Sequence, residues 1–149
     1  MKKSNINKII IAIIFIILVA LGITAVNVFT TTKKTVGDKT VTITIEDQVN
    51  HKTIMDKKTF QTNATTLKEF LKENKDALKV ETTDEAPYGT LLLGLEGLKT
   101  TDMNKGPWWI YSFSSPSEKL DYKVGLAPAI DKINLGKQNY MTFVFTDSY

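Results

Sequence analysis

Thr66-Leu67-Lys68-Glu69-Phe70-Leu71-Lys72-Glu73-Asn74-Lys75-Asp76-Ala77-Leu78 carries the period on which the fold turns. Thr66 and Glu69 have the spacing of a capping box, in which the threonine hydroxyl and the glutamate carboxylate accept from backbone N–H groups left free at a helix start. Leu67, Phe70, Leu71 and Leu78 then fall on one face, with Lys68, Glu69, Lys72, Glu73 and Lys75 on the remainder. The spacing predicts one amphipathic helix whose apolar stripe covers a sheet.

The flanking segments supply that sheet. Upstream, Val41-Thr42-Ile43-Thr44-Ile45 alternates apolar and polar residues, the pattern of a half-buried strand. A turn-rich stretch from Asp47 to Lys52 and a second strand near Thr53 to Gln61 complete a hairpin. Downstream, strands are expected over Lys79 to Thr82, over Thr90 to Leu95, over a tryptophan-containing segment, and over Tyr140 to Phe145. Glycines at 89, 94, 97, 106, 125 and 136 punctuate them as turns or bulges. Two strands, one helix and further strands over about 110 residues are the element order of an α+β domain, with a β-grasp-like sheet packed on one helix.

The tryptophan segment is Gly106-Pro107-Trp108-Trp109-Ile110-Tyr111-Ser112-Phe113, and it holds both tryptophans of the chain. Alternation sends Trp108, Ile110 and Ser112 to one face and Trp109, Tyr111 and Phe113 to the other. A strand that is aromatic or apolar on both sides either lies between packed layers or offers one face to something outside the domain. Pro107 removes a backbone donor at the strand's start, which suits a rim or an edge. If Trp109, Tyr111 and Phe113 face the helix, Trp108 is the exposed ring, and a binding site narrows to Trp108 with the loops around Tyr88 and Ser114.

The chain starts differently. Ile9 to Val26 is eighteen residues without a charge, and Val28 and Phe29 extend it. As a helix this run is about 27 to 31 Å long, enough to cross a hydrocarbon core of roughly 30 Å. A removed signal peptide has a shorter apolar region, and Ala20-Leu21-Gly22 sits inside the run rather than after it. The length favours an uncleaved anchor over residues 9–29, with a secreted product if it is cleaved. Lys2, Lys3 and Lys8 precede the span, while Lys33, Lys34 and Lys39 follow it. The free amino terminus decides this tie, placing the basic start (residues 1–8) in the cytoplasm. Residues 30–39 then read as a linker of at most about 35 Å, and residues 40–149 as the extracellular domain of a single-pass membrane protein.

Composition excludes several functions. The net charge of +3 comes from the first eight residues, because residues 30–149 hold 16 lysines and 16 acidic residues. No arginine is present to grip phosphate or guanine in two places, so nucleic acid is not an expected partner. Cysteine is absent, and His51 is the lone histidine, in a polar turn, so neither a zinc site nor a nucleophile-base pair has material. Glu46, Asp47, Asp84, Glu85 and Asp102 have no recognisable catalytic setting, and no phosphate-cradling glycine loop occurs. Asn63-Ala64-Thr65 fits the glycosylation acceptor pattern, a motif too short to carry weight. An enzyme is not expected, and no cofactor is called for.

Three segments together resemble a known family: Gly89-Thr90-Leu91-Leu92-Leu93-Gly94-Leu95-Glu96-Gly97; Lys105-Gly106-Pro107-Trp108-Trp109-Ile110-Tyr111-Ser112-Phe113; and Val124-Gly125-Leu126, followed later by Leu135-Gly136-Lys137 and the last aromatic strand. Over residues 40–149 the chain is similar to a bacterial domain-of-unknown-function family, itself similar to the C-terminal domain of transcobalamin and intrinsic factor. The resemblance implies a β-grasp-like exported domain, often tethered to the cell surface, that in the animal carriers forms half of a cobalamin site. Trp109 matches the family's tryptophan and Gly125 the glycine of the following turn. Ser114-Ser115 stands where the family often has Asn-Gly, and Leu135-Gly136-Lys137 where it often has Asp-Gly-Asp. The helical barrel that completes the animal site has no counterpart in these residues.

Two readings follow. In the first, the domain is a membrane-anchored binding module that captures a flat apolar small molecule, a corrinoid being one candidate, for a membrane transporter component. Tyr88, Trp108, Trp109, Tyr111 and Ser114 are its expected ligand-binding residues. In the second, it is a structural or protein-interaction module at the cell surface, and the aromatic patch or a sheet edge meets a partner chain.

Overall fold

The computed structural model describes residues 37–85 and 89–148. The chain divides into two units, residues 1–34 and 35–149, and every described residue belongs to the second. The expected basic start, apolar span and most of the linker lie outside the described residues, as does Tyr88. Among the described residues no helix is long and apolar enough to cross a membrane.

Strand β1 (Lys39–Asp47) buries Val41, Ile43 and Ile45 completely and leaves Thr40, Thr42 and Thr44 partly exposed, as its alternation predicts. It turns into the antiparallel β2 (Lys52–Thr62) through a loop held by Asp47, whose carboxylate accepts from Asn50 N at 3.1 Å and Asn50 Nδ2 at 2.8 Å. Helix α1 (Leu67–Glu73) has the expected capping box: Glu69 N donates to Thr66 Oγ1 at 3.2 Å, and Glu69 Oε2 accepts from Thr66 N at 3.3 Å. The predicted single helix is interrupted at Asn74. Its side-chain amide joins its backbone N–H on the Phe70 carbonyl, at 2.9 and 3.1 Å, and a separate turn α2 (Lys75–Leu78) follows. Leu67, Phe70, Leu71 and Leu78 are all buried, so the apolar stripe survives the break.

Strand β3 (Glu81–Glu85) begins two residues later than the sequence predicts. Lys79 closes α2 in the left-handed region (φ 49°), and Val80 N still donates back to the Lys75 carbonyl at 2.9 Å. The remaining strands are β4 (Gly89–Leu95), β5 (Leu98–Lys99), β6 (Trp108–Ser115), β7 (Leu120–Tyr122) and β8 (Gln138–Thr146). With two and three residues, β5 and β7 are too short to show a period and went unpredicted.

The architecture is α+β, with two sheets where one was expected. The larger has the order β2-β1-β8-β6-β7, with β1 parallel to β8 and the other pairs antiparallel. The smaller is β3-β4-β5. The middle of the chain pairs locally: β4 folds back on β3, then on β5 through Glu96 and Gly97, both at positive φ. One core cluster joins β1, α1, β4, β6 and β8, with Phe70, Phe113 and Phe143 its largest fully buried side chains.

The other face of the larger sheet is open. Register aligns Thr59, Thr42, Tyr140, Ser114 and Asp121 in one row across all five strands, and Thr44, Thr142 and Ser112 in the next.

Candidate functional site

Strand β6 alternates as its sequence predicts. Tyr111, Phe113 and Ser115 are buried, and Trp109 packs against the core, while Trp108, Ile110, Ser112 and Ser114 take the opposite face and are half-buried. Trp108 is therefore not the freely exposed ring that alternation alone suggests. Its Nε1 donates to the Met103 carbonyl at 2.8 Å, and its six-membered ring lies over Gly106. A Cβ at residue 106 would sit 2.7 Å from Trp108 Cε3, and the backbone there has φ +70°, so both packing and conformation call for glycine. The preceding turn is fixed by Thr100 Oγ1, which donates to the carbonyl of Pro107, a cis proline, at 2.8 Å.

Trp109 stacks on Phe145 with ring centroids 4.9 Å apart, and Tyr111 lies against Phe143 at 5.6 Å. Between Trp109 and Tyr111, Thr90 and Leu92 of β4, and Gly125 and Pro128 of the loop after β7 runs a cleft of about 220 Å³. The Tyr111 hydroxyl donates to the Pro128 carbonyl and so ties the loop to the strand. Burial, and then the nearby Asp131 carboxylate, push this phenol well above the ordinary range, so it remains a neutral donor. Gly125 N donates to the Tyr111 carbonyl at 3.1 Å and anchors the loop at a second point.

The far wall is fixed by Thr90. Its N–H donates to Asp131 at 3.1 Å, and its hydroxyl donates to Asp84. Those bonds to Thr90, with Lys132 beside Asp131 and Lys68 beside Asp84, hold both carboxyls below the usual carboxylate range. Asp131 Oδ1 would lie 2.5 Å from a Cβ at residue 89, which keeps that position a glycine (φ +87°).

One polar atom in this region is unmatched. Trp109 Nε1 is buried and has no hydrogen-bond partner among the described residues. Buried donors are rarely left so, because an unmade bond costs about 1–3 kcal/mol. Next in sequence to the lining Gly125 and Ala127 are exposed apolar side chains: Leu126 is 74% exposed and Val124 44%.

The five expected ligand-binding residues thus separate. Trp109 and Tyr111 share the cleft. Trp108 is one position away on the other face. Ser114 lies six residues further along the strand, roughly 20 Å away at 3.3 Å per residue, in the open-face row with Tyr140. Trp108 and Ser114 therefore do not form one site, and Tyr88 lies outside the described residues. Sequence reading missed the loop that makes the opposite wall. Leu126-Ala127-Pro128-Ala129 is aperiodic and apolar, and an apolar segment without period directly after a turn glycine was the signal available.

No protein-family model and no curated protein matches the chain. Among solved structures it is similar to a crystal structure of a protein from Ruminococcus gnavus ATCC 29149, described as a candidate metal-binding protein. The TM-score is 0.55 at 18% identity, over 74% of this chain and 99% of that one. At that identity the likeness speaks to fold alone.

Proposed function

We propose that the chain is a membrane-anchored extracellular binding module, held by residues 9–29, that grips one edge of a flat, largely apolar small molecule in the Trp109 cleft for a membrane transporter component. We read its hairpin, helix and parallel first and last strands as a β-grasp-like arrangement. The observation that carries the function is the aromatic wall of the cleft, where Trp109 and Tyr111 face the apolar loop at Ala127, Pro128 and Ala129. A corrinoid is the candidate that the sequence resemblance points to. A cleft of about 220 Å³ is smaller than the roughly 300–1,000 Å³ of pockets that enclose a drug-sized ligand. It takes a fragment of such a molecule, in keeping with a half-site.

The description of the Ruminococcus gnavus protein is not carried over, because among the described residues no three of His, Cys, Asp or Glu group to hold an ion. The exposure of Leu126 and Val124 favours a second reading, in which the loop that carries them meets a partner protein.

Equilibrium dialysis of the full chain in detergent against cyanocobalamin tests the first reading. Binding is expected, and Trp109→Phe, which replaces the indole by a smaller ring and so reduces the aromatic wall, weakens it about tenfold, near 1.4 kcal/mol. No retention up to millimolar cobalamin removes the corrinoid. A membrane protein recovered with the wild type and lost with Leu126→Glu, in the same preparation, transfers the loop to the second reading.

A further inference from the structure

A larger cleft lies elsewhere. It measures about 390 Å³ and lies between the α1–α2 segment and the start of β3, within the size range of small-molecule sites. Its floor is apolar, made by the buried Leu71, Val80 and Ile130. Its rim is cationic: Lys68, Lys72 and Lys75 follow one another at intervals of four and three residues, which puts them along one side of the helical segment.

The three lysines are not equivalent. Lys68 Nζ is 2.9 Å from Asp84 Oδ1, so its charge is matched. The other acidic side chain at the cleft, Glu81, is engaged by Lys99 on β5. Among the described residues no carboxylate stands within ion-pair range of Lys72 or Lys75. Like charges at these intervals repel. An apolar trough with two unmatched ammonium groups on its lip therefore lacks one thing, an anion attached to an apolar body. The lysine stems add apolar wall while their heads stay in water.

We propose that this cleft binds a small anionic amphiphile, with a carboxylate or phosphate held between Lys72 and Lys75 and an apolar body over Leu71, Val80 and Ile130. The site is separate from the Trp109 cleft, and neither depends on the other.

Photolabelling of the full chain with 4-azidobenzoate and with its neutral counterpart 4-azidobenzyl alcohol, followed by mass-spectrometric mapping, tests it. The carboxylate is expected to place at least fivefold more label in residues 68–82 than the alcohol. Lys72→Glu/Lys75→Glu reduces the carboxylate signal to the level of the alcohol, Lys72→Arg/Lys75→Arg preserves it, and Trp109→Phe leaves it unchanged. The lysines are exposed and Glu and Arg are good helix formers, so each variant folds, as circular dichroism checks. Equal labelling by the two probes, full labelling of the charge-reversed variant, or carboxylate label only outside residues 68–82 overturns the proposal.

Discussion

The two faces of β6 obey one alternation and part in chemistry over the second half of the strand. On the core side, Tyr111 and Phe113 are buried against Phe143 and Tyr122, and Trp109 against Phe145. On the open side, Ser112 and Ser114 join the hydroxyls of Thr42, Thr44 and Thr142, with Tyr140 48% exposed among them. The core side stabilises the domain through apolar burial, while the open side is a solvated sheet face of the kind antiparallel strands allow. The cleft sits where the distinction fails, at the start of β6, because there Trp109 belongs to the core by parity and to a surface recess by position.

The largest expected effect tests that division directly. Phe143 is fully buried, and its neighbour Thr142 is half-buried on the open face. Phe143→Ala is expected to cost about 3–5 kcal/mol through lost burial and the cavity left behind, and Thr142→Ala about 1 kcal/mol or less. Urea unfolding of the full chain, followed by tryptophan emission, reads both. Similar losses for the two would mean that the open face is covered after all.

A smaller effect sharpens the contrast at the start of the strand. Gly97 and Gly106 both have positive φ, but a Cβ at Gly97 meets nothing within 4 Å, whereas at Gly106 it meets the Trp108 ring. Gly97→Ala should cost about 1 kcal/mol, the conformational penalty alone. Gly106→Ala should cost more, roughly 2–3 kcal/mol, because the ring must also move. The same unfolding measurement applies, and equal costs would show that Trp108 adjusts freely and is not seated on the turn.

These contrasts also mark what was legible in the sequence. The capping box at Thr66 and Glu69, the alternation of β1 and the split of β6 into two faces are local signals, and the structure carries each of them. The break at Asn74 is a local departure of one residue's backbone, φ −103° and ψ 19°, that leaves no trace in periodicity. The second sheet depends on which strands pair, and pairing is a long-range property that single-strand patterns do not encode. For the candidate site, Trp109 and Tyr111 were visible as aromatic excess. The wall opposite them was not, because Pro128 and Thr90 take their places through bonds to Tyr111 and Asp131, residues 17 and 41 positions distant.

The smallest expected effect lies where charge, rather than burial, joins the elements. Thr90 is suspended between Asp84 and Asp131, and both carboxyls are held below their ordinary value of 3.8, first by their hydrogen bonds to Thr90. A carboxyl depressed in the folded state binds fewer protons there than in the unfolded chain. Its contribution is therefore fully present above the ordinary value and is lost as pH falls through the depressed one. Glu69, lowered from 4.5 by its bonds to Thr65, behaves in the same way at the helix cap. The urea midpoint of the full chain should accordingly fall between pH 5 and pH 3. Asp84→Asn/Asp131→Asn should fall less, with the remainder owed to Glu69. Asp84 is exposed and Asp131 half-buried, so solvent screens much of these interactions and the difference between the two slopes is small beside the loss in Phe143→Ala. Parallel slopes would mean that the ionised charge of Asp84 and Asp131 adds nothing to the Thr90 tie.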